Sequence, residues 1–342
     1  MVSHSYRETV VIWNPKAGAG HLAAVWPERE QQLRALLQRD SSSVVFRKTT
    51  ASDFGAGLVR EALDRGADRI VAVGGDGTLA QAVQGFFQPE TGKMRETSAA
   101  LALVPGGRGN DFLRSIVGPY LPGSDRAWRL GLEILEKGKP APLDLIRVEF
   151  FTEDGRVVRP PQLMVNLSSF GFPGRVAERV AHAEGWIGKT AFGRGAASYI
   201  LQSLDTLREY QPVPVEITLD GLKVFEGPIF WGAVLNGRFN ASGFCWSDEA
   251  SPRDGLLDLN LLRALSIREL LTQVPFMVNG RWGKSRWACL KQGKVVEILD
   301  RRAEGALVSP LGEIDGESQS LRTTRRFRFT VLPQALRFWQ PG

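Results

Sequence analysis

Histidine and cysteine are scarce in this chain: three histidines (His4, His21, His182) and two cysteines (Cys245, Cys289) among 342 residues. That scarcity weighs against a histidine-based triad or a zinc site, and the cysteine spacing supports neither a metal centre nor an argued disulfide. No run of 18 apolar residues occurs, so no helical bilayer span is expected. The opening Met1-Val2-Ser3-His4-Ser5-Tyr6-Arg7 lacks the apolar centre of a signal peptide, and a cytoplasmic protein is expected. Internal repeats and low-complexity linkers are also missing. The net charge of +6 is mild. It suits an anionic ligand or an anionic membrane surface, or simply a solvated basic face, and no nucleic-acid partner is expected.

What the chain does have is glycine placed after apolar runs. Thr9-Val10-Val11-Ile12-Trp13 reads as a buried strand that stops at Asn14-Pro15. Leu22 to Gln38 has helical periodicity, Val44-Val45-Phe46 is a second strand, and Leu58 to Arg65 is a helix ending at Gly66, a left-handed C-cap. Ile70 to Val73 is a third strand and Leu101 to Val104 a fourth, ending at Pro105; Ser124 opens a helix that runs to Gly138. Strands alternating with helices predict a doubly wound α/β sheet with ligands at the C-terminal ends of its strands. Three Gly/Pro-rich turns follow three of these strands, so all three are expected to line one crevice.

Beyond Pro142 the pattern changes to paired β-rich segments, among them 145–151, 213–219, 230–235, 256–262, 295–299, 306–309 and 327–332. Turns such as Asp154-Gly155 and Asp220-Gly221 separate some of them. An antiparallel β domain is expected, with helical insertions at 176–182 and 196–207 and a boundary near Pro140-Ala141-Pro142.

The most informative turn is Gly74-Gly75-Asp76-Gly77-Thr78, set between a strand and the helix-like Leu79-Ala80-Gln81-Ala82-Val83. Such a layout brings backbone amides and a helix N-terminus to a phosphate. Asp76 would repel that phosphate unless a cation or a catalytic task justified it, so phosphate chemistry with a metal is the first reading and an ordinary Asp-Gly turn the second. Gly18-Ala19-Gly20-His21-Leu22-Ala23 fits a dinucleotide fingerprint only loosely, because Asp40 precedes the second strand instead of ending it. Gly188-Lys189-Thr190 lacks the upstream glycine of a P-loop; Ala183 stands there. Asp315-Gly316-Glu317 puts two carboxylates two residues apart, on one face if the segment is a strand, although surface hairpins often contain such triplets. Asp254, in a turn before Leu256, could hold a divalent ion together with main-chain carbonyls, or could simply start a strand.

Taken in order, Asn14-Pro15-Lys16-Ala17-Gly18, Gly74 to Thr78, Pro105-Gly106-Gly107-Arg108-Gly109-Asn110-Asp111, Asp254 to Asp258 and Asp315-Gly316-Glu317 form a series. That series resembles the diacylglycerol kinase catalytic family, which includes bacterial lipid kinases and sphingosine kinases. The resemblance implies an α/β nucleotide domain at 1–141, completed by a last strand at about 325–342, and a β-sandwich lipid-substrate domain at 142–324. It implies ATP and magnesium as cofactors, a lipid alcohol as acceptor, and peripheral contact with a membrane. The nucleotide would meet Asn14, Thr49, Gly74, Gly75, Asp76, Gly77, Thr78, Gly107, Arg108, Asn110 and Asp111. Glu317 would accept the proton with Asp315 and Asp76 beside it, and a structural magnesium would sit at Asp254 with Ser251 and Leu256. Asp76 and Glu317 are both expected to face a solvent-filled cleft. An acyl chain needs an apolar cleft; Phe170, Phe172, Trp186, Phe192 and Trp231 are candidates for it, or for the core. Two positions depart from the family: Arg108 stands in place of a threonine, and Gln81 in place of a glutamate. The departures leave a non-catalytic lipid- or nucleotide-binding relative as the second reading, with a NAD kinase third.

Overall fold

The structure is a computed structural model that describes residues 6–50, 52–107, 109–118, 124–172, 210–240, 243–266, 268–269, 272–273, 285–302, 311–318 and 324–342. Arg108, Trp186, Phe192, the Gly188-Lys189-Thr190 run, the expected strand at 306–309 and both expected helical insertions lie outside the described residues.

The first half runs β1 (Tyr6–Trp13), α1 (His21–Leu37), β2 (Ser41–Lys48), α2 (Ala56–Asp64), β3 (Arg69–Gly74), α3 (Asp76–Gln84), β4 (Phe87–Gln88), β5 (Lys93–Met94), β6 (Ala100–Pro105), α4 (Asp111–Val117) and α5 (Ser124–Lys137). The second half contains β7 (Lys139–Phe151), β8 (Val157–Met164), β9 (Leu167–Gly171), β10 (Val213–Leu219), β11 (Leu222–Leu235), β12 (Phe239–Asn240) and β13 (Phe244–Cys245). It ends with β14 (Leu257–Arg263), β15 (Ala288–Gly293), β16 (Val295–Asp300), β17 (Leu311–Ile314), β18 (Glu317–Ser318) and β19 (Arg326–Gln340). Helices follow β1, β2, β3 and β6 in the first half and antiparallel pairing dominates the second, giving the α/β layer and β-sandwich that the sequence pattern predicts.

Strands β2, β1, β3 and β6 lie side by side in parallel, with Val10 opposite both Val45 and Ile70, and Ile70 opposite Leu101. Every residue of β3 and β6 is buried, as parallel strands covered on both faces require. Because the strands are parallel, the turns after Trp13, Gly74 and Pro105 share one edge. Asp40 sits at the other end, where its carboxylate binds the guanidinium of buried Arg69 at 2.9 Å. It is therefore a structural partner far from the ligand edge, consistent with its failure to fit a dinucleotide fingerprint.

One long strand joins the two layers. Near its end β19 runs parallel to β6, with Phe338 opposite Leu101; its start is antiparallel to β16, with Phe329 opposite Val296. Along most of its length β19 also pairs with β7. Leu143 and Leu145 of β7, with Leu336 and Phe338 of β19, belong to the first core, whereas Ile146, Val148, Phe327 and Phe329 belong to the second. Pro140, Ala141 and Pro142 lie inside β7, so the two cores meet across a continuous strand pair. Phe170 and Trp231 are buried core residues, while Phe172 stacks on Phe230 at 4.9 Å between ring centroids. Among the described residues no helix is long and apolar enough to cross a membrane.

Candidate active site

The three glycine turns meet at the C-terminal edge of the parallel strands. After β1, Asn14 accepts the Lys16 N–H on Oδ1 at 2.9 Å and donates from Nδ2 to Thr78 Oγ1 at 3.1 Å, tying the first turn to the second. Gly18 has φ of +63°, and a Cβ there would stand 3.0 Å from the Gly106 carbonyl oxygen. Gly75 caps the start of α3. A Cβ on Gly107 would lie 2.5 Å from the Gly75 Cα, so the second and third turns touch backbone to backbone. Gly74 is equally constrained: a Cβ there would strike the Thr78 side chain at 2.2 Å. Only glycine permits this approach of three main chains, and the first turn of α3 adds the partial positive charge of a helix N-terminus.

The turns form one wall of a cleft of about 240 Å³, lined from the first half by Asn14, Gly18, Gly75, Thr78 and Gly107 and from the second half by Glu317. Around Gly77 nothing approaches within 4 Å of a Cβ position, so that part of the cradle is open. Two further expected nucleotide residues, Thr49 and Asn110, are buried. Thr49 is buried, its amide bonded to the Trp13 carbonyl at 3.0 Å. Asn110 is buried at the N-cap of α4 with φ of +52°, and its Nδ2 donates to the Gly107 carbonyl at 3.2 Å.

Asp76 does not simply face solvent. It is partly buried, and its Oδ1 accepts the Phe112 N–H at 3.0 Å, at the first turn of α4. Burial pushes its carboxyl above the ordinary aspartate range, against the lowering pull of that amide. A Cβ on Gly109 would be 3.1 Å from both Asp76 Oδ2 and Asp111 Oδ2, so two carboxylate oxygens flank the same glycine.

The second wall corrects the strand reading of Asp315-Gly316-Glu317. Ile314 pairs with Glu317, leaving Asp315 (φ +51°) and Gly316 (φ +81°) as a two-residue hairpin turn. The two acids therefore do not share a strand face. Asp315 is buried and grips the main chain: Oδ2 accepts the Val165 N–H at 2.8 Å, while Oδ1 accepts those of Asn166 at 2.8 Å and Leu167 at 3.1 Å. Burial lifts its carboxyl to about 7, with the Asp76 charge adding to the rise and the three amides opposing it. Two residues earlier, Glu313 accepts from Ser169 Oγ and Asn240 Nδ2, each at 2.8 Å, and burial raises its carboxyl too. Glu317 alone of the three is exposed, and it receives the Gln81 Nε2 donor at 2.9 Å.

The second expected cation site has a different character. Asp254 is exposed, and its Oδ1 accepts the Leu256 N–H at 3.0 Å. Among the described residues no three His, Cys, Asp or Glu side chains converge on a cation position, so a metal here would rest on Asp254 and the main-chain carbonyls of Ser251 and Leu256. Asp258 is raised to about 6, mainly by burial but also by the carboxylates of Asp254 and Glu249, a field that favours a cation. Asp144, which no motif marks, holds this turn in place: its Oδ2 accepts the Gly255 N–H and its Oδ1 the Gln334 N–H, both at 2.7 Å. Its only trace in the sequence is an acid inside an apolar strand. Phe54, an exposed aromatic on the cleft, and Glu313 were likewise outside the motif set.

Comparison with known proteins bears on both walls. The diacylglycerol kinase catalytic domain family matches residues 8–148, and the YegS C-terminal NAD kinase beta sandwich-like domain family matches residues 169–340. A Pseudomonas putida protein named "probable lipid kinase YegS-like" is 29% identical over 310 residues, covering 89% of this chain and 88% of its own. A Pectobacterium atrosepticum protein of the same name is 27% identical over 308 residues, 88% of this chain and 87% of its own. A diacylglycerol kinase from Bacillus anthracis shares the fold with a TM-score of 0.68 at 20% identity, over 98% of this chain and 97% of that one. A yeast NADH kinase superposes more loosely, with a TM-score of 0.50 at 10% identity over 98% of this chain and 83% of that one.

Proposed function

Since this chain belongs to the diacylglycerol kinase catalytic family, we propose that it transfers the γ-phosphoryl group of ATP to the hydroxyl of a lipid alcohol. The observation that carries this reading is the joining of three glycine turns and one exposed carboxylate, Glu317, in a single cleft. In the proposed step the acceptor oxygen forms a bond to the γ-phosphorus as the bond to the β,γ-bridging oxygen breaks, ADP leaves, and the hydroxyl proton passes to Glu317. Little covalent work is required, so positioning and charge neutralisation dominate. The glycine cradle and the start of α3 suit a polyphosphate, because a Cβ at Gly18, Gly75 or Gly107 would fill the space the main chains need.

The acids around Gly109 suit a divalent cation, since two carboxylate oxygens in a partly buried place favour a positive ion between them. Asp76 and Asp111 are the residues assigned to hold magnesium there, and Asp254 with Ser251 and Leu256 a structural one. When bound at the first site, the ion supplies charge neutralisation on the phosphate oxygens. Asp315 is assigned to hold the hairpin that presents Glu317. The reading also divides the chain at 141/142, with the last strand returning to the nucleotide domain. It makes the protein cytoplasmic and peripheral at an anionic membrane surface, in keeping with its +6 charge.

The test is direct. Purified protein with γ-labelled ATP and magnesium is offered diacylglycerol, monoacylglycerol, a sphingoid base and NAD. Label in a lipid, abolished by chelator, is the expected result. Label in NAD alone would establish the NAD kinase instead, and tight ATP binding with no transfer would identify a binding-only relative.

A further inference from the structure

Gln81 occupies one face of α3 with Gly77 and Thr78, and all three line the cleft. The base of its side chain is set against the loop before α2: a Cβ on Gly55 would lie 3.9 Å from the Gln81 Cβ. From there the amide reaches across to the β17–β18 hairpin and donates from Nε2 to Glu317 Oε1 at 2.9 Å, a contact between residues 236 positions apart. A carboxylate has no proton to give, so the amide nitrogen must be the group that faces it.

The rest of that hairpin is already held. Asp315 takes three main-chain amides and Glu313 takes Ser169 and Asn240. Those contacts fix where Glu317 leaves the backbone, and beyond it the Gln81 amide meets the carboxylate on the cleft side. A glutamate at position 81 would bring a second anionic oxygen to within about 3 Å of Glu317, a pair that stays together only by sharing a proton or a cation. Glutamine requires neither.

We infer that Gln81 is a positioning residue that aims the Glu317 carboxylate into the cleft through a neutral hydrogen bond, so that this orientation needs no divalent ion. The inference deepens the kinase reading and rests on it for the role of Glu317, though the contact can be measured without it.

The experiment compares wild type with Gln81→Met, which keeps the length and loses the donor, and with Gln81→Glu. Thermal melts and calorimetric ATP–magnesium titration accompany the kinetics. Gln81→Met should lower kcat by about ten- to a hundred-fold, the usual weight of a hydrogen bond to a charged group, with KM and Kd for ATP within about two-fold. Gln81→Glu should recover turnover only as magnesium is raised well above the wild-type requirement. Unchanged kcat in Gln81→Met, or a parallel loss of kcat and ATP affinity, overturns the inference. So does a Gln81→Glu enzyme with wild-type magnesium dependence. The Gln81 side-chain amide resonances in nitrogen-15 NMR read the same contact with no acceptor present. Loss of the acceptor in Glu317→Ala should shift those resonances, and unmoved resonances overturn the inference. A wild type inert toward every lipid would therefore sink the kinase reading while the Gln81 contact was still decided by the amide resonances.

Discussion

Asp76 Oδ1 accepts the main-chain N–H of Phe112 at 3.0 Å, so the acid in the second glycine turn fastens the helix that follows the third. A residue read from sequence as facing solvent is thus partly a structural tie. Asp76→Asn, which keeps an oxygen for that N–H, should lower phosphoryl transfer by roughly 10²-fold or more, whereas Asp76→Ala, which leaves the N–H without this acceptor, should also cost about 1–3 kcal/mol of stability. Urea unfolding and steady-state kinetics on one preparation check both. Full stability in Asp76→Ala would return Asp76 to a purely chemical role.

The parallel strands and glycine turns were legible because each leaves a local mark: a fully apolar run, then glycines at which the chain must approach another chain. Gly18, Gly75 and Gly107 could be picked out this way, although only the structure shows that they touch one another. The roles of the hairpin acids were not legible. Asp315 and Glu317 are two positions apart, and nothing local says that one enters a type of turn requiring positive φ while the other does not. Asp144 and Glu313 were missed for the same reason, since their partners lie at least 73 residues away along the chain.

Glu317 and Asp315 should separate cleanly under mutation. Glu317 is exposed, so Glu317→Gln should cut turnover by roughly 10²-fold or more while leaving the melting temperature nearly unchanged. In Asp315→Asn one oxygen is replaced by an NH₂ that cannot accept from Val165, Asn166 or Leu167, so a buried donor loses its partner. That variant should lose about 1–3 kcal/mol of stability by chemical denaturation. A stable, inactive Asp315→Asn protein would mean that the acid acts in the chemistry itself.

The glycines of the cradle offer a steric comparison. Gly107→Ala presses a methyl group to 2.5 Å from the Gly75 Cα, backbone against backbone, and should cost about 1–3 kcal/mol of stability. Gly77→Ala meets nothing within 4 Å and should fold as well as wild type or slightly better, since alanine favours helix. If the open space at Gly77 is where phosphate sits, calorimetry should nevertheless show weaker ATP binding for Gly77→Ala. Unaltered affinity would move the phosphates elsewhere in the cleft.

Asp258 links the proposed structural metal to pH. Its carboxyl is raised to about 6 by burial, with Asp254 and Glu249 adding to the rise, from an ordinary value of 3.8. A raised folded value means that the native state holds the proton more tightly than the unfolded chain. The stabilisation is fully present below about 3.8 and is lost as pH rises through about 6. In chelator, stability measured by urea unfolding should therefore fall between about pH 4.5 and 7.5 by about 1–3 kcal/mol more in wild type than in Asp258→Asn. The raised Asp315 carboxyl contributes in the same direction to both proteins and drops out of the comparison. Saturating magnesium should remove most of the difference, because a cation at Asp254 favours the ionised form of its neighbour. An identical pH slope with and without magnesium would argue against a cation at Asp254, and identical slopes in the two proteins would mean that Asp258 does not titrate in this range.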